Sequence, residues 1–283
     1  MAFLGGNTSL DDYKNDIKPD QSMPGYNDSI SSIAWANQQL PNYFATTSWD
    51  GELRVLSLEQ GQFGPAIFQK MSYKFPSPAL KCTWSDQNNH LYVGLLDGTI
   101  KAFDLGSSQV ADIGRHNAGI SSLHFVPGMN AIVSTAYESQ VNVWQPGNPN
   151  PAMSFSAENK VFTSDFKFPI LVAGTANEKM MLVDVHNPNS KVCVESSDLG
   201  KFSQIQAIAI NQKCSTFGAA SFDGRANLSN IGKNVNGQFA PVPLILFRKQ
   251  SSPSRATSKK NRAIRSSTPS TAFPSTPSTR SGS

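Results

Sequence analysis

DSISSIAWANQQLPNYFATTSWDGELRV, residues Asp28–Val55, is the stretch on which the fold turns. In its first part, SISSIAW, apolar side chains alternate with serines, the pattern of a half-buried strand. Leu40-Pro41-Asn42 interrupts that pattern, because proline cannot donate to a strand ladder. The chain then resumes as YFATTS, a strand built largely of small side chains. Asp50-Gly51 follows, and Asp-Gly is a strong hairpin signal because glycine accepts the positive φ that a tight turn needs. After the turn, ELRV begins a third strand.

The same plan recurs four times. Ala79–Leu105 contains ALKCTW and LYVGLLDGTIKAFDL. Gly119–Pro146 contains GISSLHF and AIVSTAYESQVNVWQP. Lys160–Asn187 contains KVFTSDF and ILVAGTANEKMMLVDV, and Ile205–Ile231 contains IQAIAI and TFGAASFDGRANLSNI. The turns align at Asp50-Gly51, Asp97-Gly98, Glu138-Ser139, Asn177-Glu178 and Asp223-Gly224, at intervals of 39 to 47 residues. Between the units lie further short strands at Ile67–Phe75, Gln109–Arg115, Met153–Ala157 and Lys191–Glu195, which makes four strands per repeat. No segment shows sustained helical periodicity. A period near forty with four strands per unit predicts an all-β fold, a β-propeller of about five recognisable blades. The small residues before each turn (Ala45-Thr46-Thr47, Ser134-Thr135-Ala136, Ala173-Gly174-Thr175, Ala219-Ala220-Ser221) belong near the crowded inner part of such a ring.

Charge divides the chain. Residues 248–283 carry eight Lys or Arg and no acid, so the chain's +4 conceals a net −4 over residues 1–247. The expected organisation is a flexible leader over 1–28, the propeller over 29–240, and a basic Ser/Thr/Pro-rich tail over 241–283. Such a tail cannot bury enough apolar surface to offset the entropy of ordering it, and disorder is expected there. No apolar run approaches the roughly 18 residues of a membrane span, and the N-terminus lacks the charge and apolar pattern of a secretory signal. The three cysteines, Cys82, Cys193 and Cys214, are widely spaced and show no metal-ligand pairing, so they are expected to be small core residues.

In four of the five units, longer strings resemble a known family. DSISSIAWANQQLPNYFATTSWDGELRV, CTWSDQNNHLYVGLLDGTIKAFDL, FPILVAGTANEKMMLV and TFGAASFDGRANL, in that order, resemble blades 1, 2, 4 and 5 of the nuclear mRNA-export WD-repeat factors of the Rae/Gle type. The spindle-checkpoint WD-repeat protein is a close relative and shares most of these strings. The resemblance covers roughly residues 24–240. It implies a seven-bladed family of which five blades are legible here, so that two would be absent and the first and last sheets would lack neighbours. It further implies a non-enzymatic scaffold at the nuclear pore, nuclear and cytoplasmic, that binds a nucleoporin or checkpoint-type peptide segment. Arg225 matches the family arginine that pairs with a partner glutamate, a role that suits the fixed donor fork of a guanidinium; otherwise it is an ordinary turn arginine. Trp49 matches a top-face tryptophan, or else packs in the core between blades. Tyr137 stands where the family commonly repeats that tryptophan, and keeps a flat apolar surface for the partner.

No nucleophile elbow, zinc helix, phosphate loop or dinucleotide fingerprint occurs, and the expectation is no enzyme, no cofactor and no metal. His116, after Arg115, matches a loop histidine that hydrogen-bonds inside a blade. The basic tail could bind RNA phosphates, although Phe273 is its one aromatic beyond Phe247 and base stacking would add little.

Overall fold

The computed structural model describes residues 25–61, 64–176, 179–187, 191–195, 204–233 and 239–243. The expected leader, the basic tail and the Asn177-Glu178 turn thus lie wholly or largely outside the described residues. Among the described residues the fold is all-β: twenty strands form five separate four-stranded antiparallel sheets, each ordered as in the sequence. Blade 1 is β1 (Ile30–Trp35), β2 (Tyr43–Ser48), β3 (Glu52–Gly61) and β4 (Gly64–Lys74). Blade 2 is β5 (Ala79–Trp84), β6 (His90–Leu95), β7 (Thr99–Asp104) and β8 (Val110–Arg115). Blade 3 is β9 (Ile120–Val126), β10 (Ala131–Ala136), β11 (Gln140–Trp144) and β12 (Met153–Ser156). Blade 4 is β13 (Val161–Lys167), β14 (Ile170–Thr175), β15 (Lys179–Asp184) and β16 (Val192–Glu195). Blade 5 is β17 (Ile205–Ile210), β18 (Thr216–Ser221), β19 (Ala226–Lys233) and β20 (Phe239–Pro243). The last strand completes the fifth blade.

Neighbouring first strands pack on one another, β1 on β5, β5 on β9, β9 on β13 and β13 on β17. The sheets therefore fan out from an inner edge, which is propeller geometry. Each interface is apolar: Ala45, Leu53 and Val55 of blade 1 meet Cys82, Leu91 and Phe103 of blade 2, and Val133, Val141 and Val143 of blade 3 meet Val161, Leu171 and Val183 of blade 4. The small residues of the second strand explain how the inner edges converge. A Cβ placed on Gly94 would lie 2.5 Å from Cγ2 of Ile120 in the next blade, and one on Gly174 would lie 2.7 Å from Cγ2 of Ile205. A large side chain from the following first strand fills the space that the glycine leaves.

One backbone bond sets a common register. The N–H groups of Trp49, Leu96, Tyr137, Ala176 and Phe222 donate to the carbonyls of Ser29, Pro78, Gly119, Lys160 and Gln204 at 2.8 to 3.0 Å. Counted from it, the residue three before each carbonyl occupies one slot: Tyr26, Phe75, His116 and Ala157 in blades 1 to 4. In blade 3 this slot holds a closed polar network. Glu138 Oε1 lies 2.7 Å from His116 Nδ1, His116 Nε2 lies 2.7 Å from Ser134 Oγ, and the Trp144 indole N–H donates to Ser134 Oγ at 2.7 Å. Burial holds His116 below its ordinary pKa and the Glu138 carboxylate offsets part of that. The neutral imidazole then donates from Nδ1 to Glu138 and accepts the serine proton at Nε2. In blade 1 the Tyr26 hydroxyl plays the histidine's part, 2.6 Å from Thr46 Oγ1, with the Arg54 guanidinium 4.0 Å from the centre of its ring. Blade 2 replaces the polar groups with Phe75, Val93 and Phe103, and blade 4 with Ala157, Ala173 and Val183, all buried.

Cys82 is buried as expected, and burial pushes its thiol up to about 12. Cys214 departs from expectation. It lies half-exposed at φ 52° between β17 and β18, because Asn211 Oδ1 accepts the N–H groups of Ser215 and Thr216 at 2.9 and 3.2 Å and turns the chain there.

Two outcomes follow from this packing. Gly94→Ala should cost about 1–3 kcal/mol in urea denaturation by overpacking Ile120. His124, packed against Phe166, has its imidazole pushed down to about 4 by burial. The unfolded chain then takes up a proton that the folded chain refuses, so stability is full above pH 6.5 and falls as pH drops from there towards 4. Melting temperature followed across that window should fall, and His124→Gln should flatten the slope.

Candidate functional site

The connections β2–β3, β6–β7, β10–β11, β14–β15 and β18–β19 all lie at one end of the antiparallel blades, together with the links from each blade to the next. At this rim the residue immediately before each turn is raised to the surface by the shared backbone bond. Four of the five are large and apolar: Trp49 is 45% exposed, Leu96 41%, Tyr137 41% and Phe222 80%. The fifth, Ala176, is small. Phe162, from the first strand of blade 4, extends this surface with its ring centre 6.1 Å from that of Tyr137.

Arg225 stands in the β18–β19 turn beside Phe222, its side chain 62% exposed and its Nε 3.2 Å from Asp223 Oδ2. Asp223 is also bonded by the Ser221 hydroxyl, and that hydrogen bond, ahead of the arginine, holds its carboxyl below the usual range. An exposed ion pair of this kind is weak, so the guanidinium can be shared with an incoming carboxylate.

The three residues singled out from the sequence come to one rim, on blades 1, 3 and 5. Trp49 presents part of its ring at the surface, 45% exposed. Leu96 and Phe222 were missed, yet their signal was present in the sequence. Each directly precedes the turn acid, as Trp49-Asp50 and Tyr137-Glu138 do, and the positions repeat with the blades.

The Glu138–His116–Ser134 chain has the hydrogen-bond order of a hydrolase triad, an acid orienting an imidazole that faces a hydroxyl. It cannot work as one. Ser134 has no exposure, and its oxygen is already occupied by the Trp144 N–H. Among the described residues no group of three or more His, Cys, Asp or Glu could hold a metal ion. Nor does any helix among them have the length and apolarity to cross a membrane.

No family model matches the chain. "Protein Rae1" of Drosophila melanogaster is 24% identical over 209 residues, covering 72% of this chain and 60% of the fly protein. The "Poly(A)+ RNA export protein" of Schizosaccharomyces pombe is 25% identical over 233 residues, covering 81% and 63%. The "WD40 repeat protein poxJ" of Penicillium oxalicum is 24% identical over 212 residues, covering 73% and 59%. The chain thus spans about six tenths of the length of these relatives. In fold it is similar to the computationally designed Ika8 protein, with a TM-score of 0.61 at 20% identity, covering 75% of this chain and 61% of that one.

If the rim is surface and not core, its side chains contribute little to folding. Phe222→Ala should shift stability by less than about 0.5 kcal/mol, measured by chemical denaturation, whereas Trp144→Ala should cost about 3–5 kcal/mol. With five four-stranded blades among its described residues, the chain is a β-propeller similar over 72–81% of its length to Rae1-type mRNA export factors and to a WD40 repeat protein.

Proposed function

We propose that the chain is a non-enzymatic adaptor in mRNA export whose rim holds an extended, acidic-apolar segment of a nucleoporin at the nuclear pore. The observation that carries this reading is the row of exposed apolar side chains, Trp49, Leu96, Tyr137 and Phe222, repeated at one register and flanked by Arg225. Exposed apolar side chains repeated along one rim favour an interaction site, and a rigid scaffold presents them without ordering cost. A segment lying across the turns would set apolar side chains against these residues and offer a carboxylate to the Arg225 fork. The names of the relatives, an RNA export protein and Rae1, direct the reading to export. Nucleic acid is a second ligand of the same assembly in this reading, held through the eight basic residues of 248–283 by phosphate contacts that salt would screen.

The test has two arms. Pull-down from nuclear extract with the 283-residue chain should recover a nucleoporin; recovery of a checkpoint kinase instead would move the chain to the checkpoint branch of the scaffold. Titration of the recovered partner's acidic segment should then show Arg225→Ala weaker by about 2–5 kcal/mol if the pair is desolvated, and Trp49→Ala/Tyr137→Ala weaker as well. Equal affinities for wild type and Arg225→Ala would remove Arg225 from the site.

A further inference from the structure

At the end of the blades opposite the rim, between blades 2 and 3, the β5–β6, β7–β8, β9–β10 and β11–β12 connections surround a groove of about 770 Å³. Three rings form a ladder in its wall. His90 and Tyr92 lie 6.4 Å apart at 19°, and Tyr92 and Phe125 lie 5.9 Å apart at 12°, so the planes run nearly parallel.

The groove has a cause in the sequence. In the shared register, the residue four before the one that meets the turn acid-side bond is Ala45 in blade 1, Tyr92 in blade 2, Val133 in blade 3 and Val172 in blade 4. The residue it faces from the following blade is Trp84, Phe125, Phe166 and Ile210, six after the bonding carbonyl. Three of these interfaces pair a small or branched residue with a large one, and there Trp84, Phe166 and Ile210 are buried. Only blade 2 sets an aromatic against an aromatic. Tyr92 itself is buried, and Phe125 remains partly exposed. Two large rings wedge the lower edge of this interface apart and leave the cavity beneath them.

The polar lining has one sign. Asp86, Asp104 and Asp112 line the groove, with neither Lys nor Arg among its lining residues. Asp104 is held in place by the N–H groups of Gly106 and Ser107, both 2.8 Å from Oδ1, while its Oδ2 lies 3.3 Å from His90 Nε2. Lys101 reaches Asp112 from β7. At the mouth, Gly128 and Gly147 have φ of 77° and 90°, and a Cβ on either would meet nothing within 4 Å, so the entrance is open.

We propose that this groove is a second binding site, which takes an arginine-bearing basic peptide segment with its guanidinium against the partly exposed rings of Phe125 and His90, and its charge met by Asp86 and Asp104, with Asp112 shared from Lys101. A flat, weakly hydrated cation satisfies both halves of the lining, because it stacks on ring faces and donates to carboxylates in the same plane. A lysine satisfies the charge alone. A nucleic acid could stack its bases on the ladder but would bring phosphates to a lining of carboxylates. This site is separate from the rim and stands whether or not the export reading does.

The test uses the 283-residue chain and three fluorescein-labelled probes: an alternating arginine–glycine hexapeptide, its lysine–glycine counterpart and a ten-residue oligouridylate. Fluorescence anisotropy should show the arginine peptide binding at least about fivefold more tightly than the lysine peptide. Tyr92→Val, which restores the residue type of Val133 and Val172, should weaken it about tenfold or more by removing the ring that holds Phe125 and His90 open to the groove. Asp86→Asn/Asp112→Asn, at two exposed positions, should weaken it similarly with little change in melting temperature, because the Lys101–Asp112 pair it removes lies at the surface. The proposal is overturned by no binding of the arginine peptide, by equal affinities for the two peptides, or by wild-type affinity in both variants. Oligouridylate binding that is lost in Tyr92→Val would overturn it in favour of RNA.

Discussion

Every four-stranded sheet in this protein has two apolar faces, and the structure depends on each face finding a neighbour. One sheet alone would leave residues such as Val133, Val141 and Val143 in water. Stacked on blade 4, all three are fully buried. Because the stack fans from its inner edge, the second strands and the following first strands must share very little space, and there size is reciprocal: Gly94 accepts Ile120, Gly174 accepts Ile205. Apolar side chains are also left in water on blades 1 and 5. Ile33 and Trp35 in blade 1 and Leu228 in blade 5 stay exposed.

A second, local problem is solved differently in each blade. The slot beneath the rim must be filled, and a polar group placed in it must be bonded, since an unpaired buried donor or acceptor costs about 1–3 kcal/mol. Blade 3 fills it with a complete chain of four side chains, blade 1 with a tyrosine, a threonine and a stacked arginine, and blades 2 and 4 with apolar residues that need no partner. Half of a network would be worse than either solution. The resemblance of the blade 3 chain to a catalytic triad is thus a by-product of satisfying a buried histidine.

Rigidity of this kind is what a binding surface needs. The bond that fixes the register, from the residue before each turn to the carbonyl at the start of the blade, also holds that residue's side chain out at the rim. Function at one end of the stack can vary through single side chains without disturbing the interfaces below, and the opposite end has its own variable loops. The acidic groove between blades 2 and 3 arises where the usual pairing of small against large gives way to Tyr92 against Phe125.

How much of this was legible in the sequence follows from the range of the interactions. Strand alternation, Asp-Gly turns and the spacing of the repeats are local, acting over a few residues, and they alone determined five repeated units, four of them with a fourth strand; the resemblance, not the spacing, singled out Arg225, Trp49 and Tyr137 beside those turns. His116 was legible as a structural histidine only through resemblance, because its partners Ser134 and Glu138 lie 18 and 22 residues away. Exposure of Trp49, a surface or a core position in the sequence, was decided by the tertiary fold, since it depends on the neighbouring blade leaving that end of the strand uncovered. The groove was decided there too: Tyr92 and Phe125 read as two ordinary strand aromatics until the stacking of blade 3 on blade 2 sets one ring against the other.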